Sequence, residues 1–436
     1  MIIKIPRIVP MLMTLMVSLI AVSVAQSPKG RYSTTSLVGA TVVTVTNGTI
    51  ENATVVLRDG KIAAIGTDIP IPEGAEVIHC EGLRIYPGMI DGGTRLGLTE
   101  IGSDQRTQDY NELGDVVPQM KALTAINPNS VLIPVARVNG ITTVLAAPSG
   151  GLFSGTAALV NLQGYTPQQM YAGFEGVVLN FPSTIRSGSQ DKRKEDEIKK
   201  AAEKTMKKLN EVWEKAVQYY KLDSALGDKE PEYYPEMKAL LPAVKGERTL
   251  LIEVNHKADI EKALEWIAEK EIQKVILTGV AEGWRVAEKI AEAGIPVITG
   301  PVLTLPSRAY DRYDKPYANA GLMLKAGVKV ALRTNEADNV RNLPYNAGFA
   351  AANGMGVEEA LRAVTIIPAE IFGVANRLGS IEPGKNATLF VCDGDPFEPA
   401  TQIRHVFIDG WQIPLVTRQT MLYDEFLHRE PGLKKN

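Results

Sequence analysis

Residues 85–98 read IYPGMIDGGTRLGL, and their position between two different sequence patterns decides the fold. The run Arg84–Asp91 is apolar and strand-like, and it ends in Gly92-Gly93-Thr94-Arg95. On its N-terminal side, residues 37–66 are built of hairpins. Val42, Val43 and Val45, then Ala53, Val55, Val56 and Leu57, form short apolar runs, with Asn47-Gly48 and Asp59-Gly60 as the turns between them and Ile62–Ile65 as the continuation. On its C-terminal side the pattern changes: short apolar strands alternate with helical stretches, the signature of βαβ units and a parallel sheet. Including Arg84–Asp91, the strands are Ile141–Ala147, Ala157–Leu162, Gly176–Asn180, Thr249–Val254, Gln273–Thr278, Pro296–Thr299 and Val328–Thr334. Eight strands in about 250 residues is the count of a barrel.

Hairpin character returns after the eighth strand, with Ala387–Val391, Ile403–Ile408, the turn Asp409-Gly410 and then Trp411–Val416. The expected fold class is α/β: a TIM-like (β/α)8 barrel at 83–376 plus a β-sandwich discontinuous in sequence, made of 37–82 and 377–417. The tail 418–436 is expected to fray. One helix is marked over Asp191–Tyr220, where Ile198, Ala202, Met206, Leu209, Trp213, Ala216 and Tyr220 recur at three- and four-residue steps. Its charge run Asp191–Lys200 reads as a solvated face, and Asp223–Pro235 reads as a loop.

Composition sets the class of molecule. The chain has 436 residues, 45% hydrophobic and 22% charged, enough to bury a large core. Net charge is −3 and no basic patch stands out, which excludes a nucleic-acid partner from the expectations. Lys4 and Arg7, the apolar run Ile8–Val24 and the small residues Ser23 and Ala25 form a signal peptide, 1–25, with cleavage expected after Ala25. An uncleaved anchor is the competing reading. The expected protein is exported, periplasmic or secreted, with no membrane span after cleavage. Cys80 and Cys392 both fall in the sandwich, where one disulfide or two free buried thiols are open readings. The sequons at Asn47, Asn52 and Asn386 read as turn residues.

Several segments together resemble one family. VVLRDGKIAAIG (Val55–Gly66), IYPGMIDGGTRLGL, NVRNLPYNAG (Asn339–Gly348), EALRAVTIIPAEIFGV (Glu359–Val374), LGSIEPGKNATLFVCDGD (Leu378–Asp395) and VFIDGWQI (Val406–Ile413) resemble the amidohydrolase superfamily, and within it the imidazolonepropionase-related branch. The resemblance implies the composite barrel-and-sandwich fold and hydrolysis of non-peptide carbon–nitrogen bonds. It also implies one or two divalent metals at the barrel mouth, which activate water and polarise a carbonyl.

The residues depart from that implication at the metal. The family's PGxIDxHxH here reads Pro87-Gly88-Met89-Ile90-Asp91-Gly92-Gly93-Thr94-Arg95, so Gly93 and Arg95 replace both histidines. The fourth strand has no lysine, the fifth carries Glu253, the sixth offers Thr278, and the eighth ends Arg333-Thr334-Asn335-Glu336 in place of Thr-Asp. The whole chain has four histidines, of which His79 and His405 fall in the sandwich and His428 in the tail, leaving His256 for the mouth. No metal ligand is assigned and no cofactor is expected, zinc being admitted only if Glu253, Glu336 and neighbouring carboxylates build an oxygen site.

The candidate catalytic residues are Glu253, His256, Asn335 and Glu336, and the candidate ligand-binding residues are Arg95, Arg333 and Asn255. His256 is read either as a general base or as a residue capping the helix that starts near Asp259. Arg95, Glu253 and Arg333 are expected to form a charge-paired cluster in the vacated metal space if strands 1, 5 and 8 end at one mouth. The loop Gly150–Gly155 is read as a tight mouth loop or an anion cradle. The expected partner is a small molecule; the alternative to a hydrolase is a catalytically silent barrel that binds a small anionic ligand or a partner protein. A homodimer, or pairing with an active paralogue, is also open.

Overall fold

The computed structural model describes residues 30–186, 191–226 and 232–429. The signal-peptide reading therefore falls outside the described residues. Among the described residues sixteen strands form two eight-stranded sheets.

The first sheet gathers both ends of the chain. It contains β1 (Thr35–Val43), β2 (Thr49–Arg58), β3 (Lys61–Gly66), β4 (Glu76–His79) and β5 (Arg84–Pro87), together with β14 (Leu389–Cys392), β15 (Ile403–Ile408) and β16 (Trp411–Ile413). β1 is the branch point: it pairs antiparallel with β2, and its other edge runs parallel first to β4 and then to β5. β14 pairs with β5 in register Leu389 to Pro87, which joins the C-terminal hairpins to the N-terminal ones. The sheet closes on its own core of Leu37, Val55, Ile62, Ile85, Leu389 and Phe407. Cys80 and Cys392 are buried there as free thiols, and burial pushes them up to about 11 and about 12 respectively.

The second sheet is the barrel, in the order β13 to β6. Its strands are β6 (Met89–Thr94), β7 (Ile141–Ala146), β8 (Phe153–Asn161), β9 (Tyr171–Asn180), β10 (Thr249–Val254), β11 (Val275–Gly279), β12 (Val297–Thr299) and β13 (Val330–Leu332). The run expected as one strand over Arg84–Asp91 is thus divided at Gly88, with β5 in the first sheet and β6 in the barrel. Closure comes just past the ladder, where Asn335 N donates to Gly93 O at 2.9 Å and Arg95 N to Glu336 O at 3.1 Å. Gly92 permits that approach: a Cβ there would stand 2.5 Å from the Ile298 side chain and 3.0 Å from Leu332 O.

The barrel departs from eight parallel strands at one place. β8 runs antiparallel to both β7 and β9. Only residues 147–152 and 162–170 connect it to its neighbours, and a parallel crossover takes about a dozen residues or more. The third strand also starts earlier than expected, at Phe153. Two further corrections concern helices. The long helix is Glu195–Leu226, reaching into the segment expected as a loop. The tail is not frayed throughout: Arg418–Leu427 is a helix, closed at its N-terminus by reciprocal Thr417 and Thr420 hydrogen bonds and burying none of its residues.

Strand alternation then fixes what fills the barrel. Side chains two apart point the same way, so Ile90, Leu145, Val178, Leu251, Ile276, Ile298 and Ala331 build the inner apolar layer. Phe372, Val374 and Leu378 pack against that layer. Two residues further along β9, β10, β11 and β13 come Asn180, Glu253, Thr278 and Arg333, one polar layer higher at the C-terminal mouth.

Candidate ligand site at the barrel mouth

An ion pair is the centre of the polar layer. Arg333 donates from Nη1 to Glu253 Oε2 and from Nη2 to Glu253 Oε1, both at 2.8 Å, a bidentate fork. The remaining acceptor capacity of the carboxylate is met by Thr278 Oγ1 at 2.7 Å and Asn255 Nδ2 at 3.1 Å. Register explains the set, since Glu253 lies opposite Thr278 on one side and Asn180 on the other. Arg333 also reaches Gly300 O from Nε at 3.3 Å. Its side chain is 8% exposed, and that of Glu253 is 26% exposed. Burial pushes the Glu253 carboxyl up, but the Arg333 charge and the three donor side chains outweigh it and hold the carboxyl below its ordinary range. Of the expected cluster, Arg333, Glu253 and Asn255 are therefore together.

A second buried carboxylate lies beneath the pair and was not among the expected site residues. Asp91, fully buried, accepts from Gly93 N at 3.0 Å, from Thr334 N at 3.1 Å and from Thr334 Oγ1 at 2.5 Å. It ties β6 to the end of β13 and so positions Arg333, the next residue back from Thr334. Burial raises it to about 6 despite these donors and the Arg333 charge. Gly93 completes the arrangement: a Cβ there would come within 3.1 Å of Arg333 Cδ. Any side chain at 93 and the Arg333 side chain would therefore compete for one space.

The other expected residues separate from this centre. Arg95 forms no ion pair with Glu253 among the described residues. Its guanidinium instead lies 4.5 Å from the Tyr110 ring centroid, a cation–π contact. Asn335 holds a left-handed backbone (φ 55°) at the mouth, with its side chain exposed. Glu336 is exposed and contributes its backbone oxygen, which accepts from Arg95 N and Thr94 Oγ1. Among the described residues Glu336 joins no group of three His, Cys, Asp or Glu side chains that could hold a metal ion.

His256 is the N-cap residue of Lys257–Glu269, without a capping side-chain bond, and its Nδ1 is buried 3.7 Å from Glu282 Oε1. It belongs to an ion cluster outside the central pair. There Glu282 accepts from Arg308 Nε at 2.5 Å, from Arg308 Nη2 at 2.8 Å and from Lys257 N at 2.9 Å. Burial raises Glu282, and His256, Arg308 and the Lys257 N–H together pull it well below the usual carboxylate range. Arg285 pairs with Asp311 beside it. These bonds clamp the segment 302–314 over one side of the mouth.

The Gly-rich loop is a packing device. Asn180 Nδ2 donates to Gly151 O and to Ser154 Oγ, both at 2.8 Å, and Ser154 Oγ donates to Gly150 O at 2.7 Å. Leu152 N and Phe153 N are spent on Asp115 O. Two of the loop's N–H groups and the Ser154 hydroxyl are thus engaged within the protein.

Two cavities open on the central pair. One, of about 190 Å³, runs under the 302–314 segment and is walled by Trp284, Pro301, Leu305 and Lys315. The other, of about 160 Å³, lies between β6 and β9 and is walled by Arg95, Ser149, Val178 and Asn180. Glu253, Arg333 and Asn335 line both. Trp284, Lys315, Glu282 and Arg308 carry no pattern that marks them in the sequence; the loops that bring them here are set only by the folded barrel.

A family model described as amidohydrolase family matches residues 136–413, more than half of the chain. The chain belongs to the amidohydrolase family. An imidazolonepropionase from Geobacillus sp. is 26% identical over 383 residues, spanning 79% of this chain and 84% of that protein. Matches to an imidazolonepropionase of Shouchella clausii (37% identical over 115 residues, 26% of this chain) and to the amidohydrolase tasK of Hapsidospora irregularis (23% over 399 residues, 82% of this chain) span only 24% and 39% of those proteins. Among solved structures, an amidohydrolase from Thermotoga maritima aligns with TM-score 0.76 at 26% identity, covering 88% of this chain and all of that one. Phenylurea hydrolase B aligns with TM-score 0.54 at 16% identity over 88% of this chain and 97% of its own, a likeness of fold.

Members of this family use divalent metal at the mouth, and the donor set here does not fit one. Among the described residues no three His, Cys, Asp or Glu side chains gather as a metal group. Both Glu253 oxygens are held by Arg333, both Asp91 oxygens are held by donors beneath it, and the guanidinium is itself a buried cation at the centre. A metal ligand must offer a free lone pair, and both of these carboxylates have theirs engaged by protein donors.

Proposed function

We propose that this amidohydrolase-family barrel binds a small anionic molecule of the amide, lactam or imidazolone class named for its relatives, and that it does so without metal-dependent hydrolysis. The Arg333–Glu253 fork is the observation that carries this reading. It fills the centre of the mouth with a paired cation and leaves Glu253 ionised but weakly basic, because every strong acceptor direction is engaged. Such a carboxylate orients a ligand better than it abstracts a proton.

The test is metal analysis of purified chain together with turnover of imidazolonepropionate, small lactams and dipeptides. The reading expects less than about 0.1 equivalent of zinc, manganese or iron per chain and no turnover above buffer. Stoichiometric metal that survives dialysis, with metal-dependent turnover, would overturn it. We further propose export with cleavage after Ala25, which N-terminal sequencing of the mature protein checks. Among the described residues no helix is long and apolar enough to cross a membrane. Pairing with a second copy, or with a relative that keeps the histidines, is proposed as well and is read by light scattering of the mature chain alone and in mixture.

A further inference from the structure

The two cavities at the mouth share a floor and differ at their far walls. Their common floor is electrically balanced, since the Arg333 cation is matched by the Glu253 carboxylate across two 2.8 Å bonds. Each far wall then carries one cation that no carboxylate balances.

In the cavity between β6 and β9 that cation is Arg95. It is half-buried against the Tyr110 ring at 4.5 Å, and it forms no hydrogen bond or ion pair through its guanidinium among the described residues. A guanidinium stacked by its face keeps its N–H edges free for a carboxylate. In the cavity under the 302–314 segment the cation is Lys315. Its Nζ lies 4.6 Å from the Trp284 ring centroid, again with no carboxylate partner among the described residues. Asp311, the acidic residue on the same wall, is already paired with Arg285. Lys315 also stands at the first position of the helix Lys315–Lys325, and the N-cap residue Asp314 beside it is paired with Arg312. Both cations are half-buried, in a chain whose net charge is −3, so the field is local to the mouth.

From this arrangement we infer that the mouth recognises a two-ended anion. A short molecule lies across the Arg333–Glu253 pair with one acidic group on Arg95 and a second on Lys315, and its middle is contacted by the Trp284 side of one cavity and the Val178 side of the other. A dicarboxylic acid, or an amide or lactam of an acidic amino acid carrying a second carboxylate, has this chemistry. Arg95 and Lys315 are thus specificity residues, while Arg333 and Glu253 form the floor between them. The inference rests on the reading of the mouth as an anion-binding site and adds the number and placement of the charges.

The experiment uses the mature full chain at low ionic strength and titrates it calorimetrically with succinate, glutarate, adipate and pimelate against butanoate and hexanoate. The expected result is an optimum at one dicarboxylate length, binding at least tenfold tighter than either monocarboxylate. Arg95→Gln and Lys315→Gln should each reduce that best dicarboxylate to the level of a monocarboxylate, about tenfold for one partly buried ion pair. Monocarboxylate binding itself should fall only in the variant that removes the end it uses. Equal affinity for mono- and dicarboxylates, or a dicarboxylate preference untouched in both variants, overturns the two-ended site while leaving the anion-binding reading in place. Absence of binding by every acid overturns both. Circular dichroism of the two variants, whose side chains make no ion pair in the fold, separates a lost site from a lost structure.

Discussion

Replacing Glu253 with glutamine tests the ion pair from which the functional reading is built. The substitution keeps the side chain's size and one acceptor oxygen but removes the charge, so Arg333 keeps one hydrogen bond and loses its counter-ion. Breaking a fully buried pair from one side costs about 3–5 kcal/mol, because the remaining charge is stranded. Here Arg333 is 8% exposed but Glu253 is 26% exposed and lines both cavities. The cost is therefore discounted to about 2 kcal/mol. For a chain of this length that corresponds to a fall in thermal midpoint of about 2–3 °C. Arg333→Met should cost a similar amount, stranding the carboxylate instead. The double variant, Glu253→Gln with Arg333→Met, should be less destabilised than the sum of its parts by at least about 1.5 kcal/mol, since no charge is then left unpaired. Thermal and urea unfolding followed by circular dichroism measure all three. Additive single effects, or singles within about 0.5 kcal/mol of the parent, would refute the argument that the pair is coupled and occupies the metal's place as a unit.

Other expectations follow from neighbouring residues. Asp91 is raised to about 6, above its ordinary 3.8, so the fold binds its proton more tightly than the unfolded chain does. Its contribution to stability is greatest at about pH 4 and below, and falls as pH rises to about 6, by up to about 3 kcal/mol. The difference in stability between the parent and Asp91→Asn should therefore shift against the parent between pH 4 and pH 7, and a flat difference would refute the assignment. Gly300→Ala should prevent accumulation of folded protein, because φ is +135° and the new Cβ would stand 2.1 Å from Arg333 O; a soluble variant within about 1 kcal/mol of the parent would contradict this. Gly93→His should destabilise the chain through collision with Arg333 and should not confer zinc binding, both read by thermal unfolding with and without the metal. Arg308→Gln should loosen the 302–314 segment from Glu282 and raise its rate of cleavage by trypsin or chymotrypsin at Arg312 or Tyr313, while cleavage elsewhere is unchanged.

Much of the fold was legible in the chain because its signals are local. Hairpin turns at Asn47-Gly48, Asp59-Gly60 and Asp409-Gly410 and the run of short strands between them marked two architectures, and the scarcity of histidines was a matter of counting. The direction of β8 was not legible. An apolar run such as Ala157–Leu162 has the same periodicity whichever way it points, and only the short connections on either side force the reversal. The fork between Glu253 and Arg333 was expected from strand ends converging at a mouth, because alternation places both side chains inward. Arg95 stands at the same end of β6, yet it turns to Tyr110. That choice depends on a loop whose path the sequence leaves open.

Sequence by itself determined which side chains this protein has for chemistry: Gly93 and Arg95 where the resemblance implies imidazoles, Glu253 and Arg333 on inward positions, and His256 as the histidine expected near the mouth. Tertiary structure alone decided which of them meet. It set His256 beside Glu282, buried Asp91 under Thr334, and brought Lys315 and Trp284 to the rim from elements far along the chain. The physical reason is range: residue type and strand period act over a few positions, whereas pairing, burial and field at the mouth arise only when strands separated by up to 243 residues, as Asp91 and Thr334 are, close into one barrel.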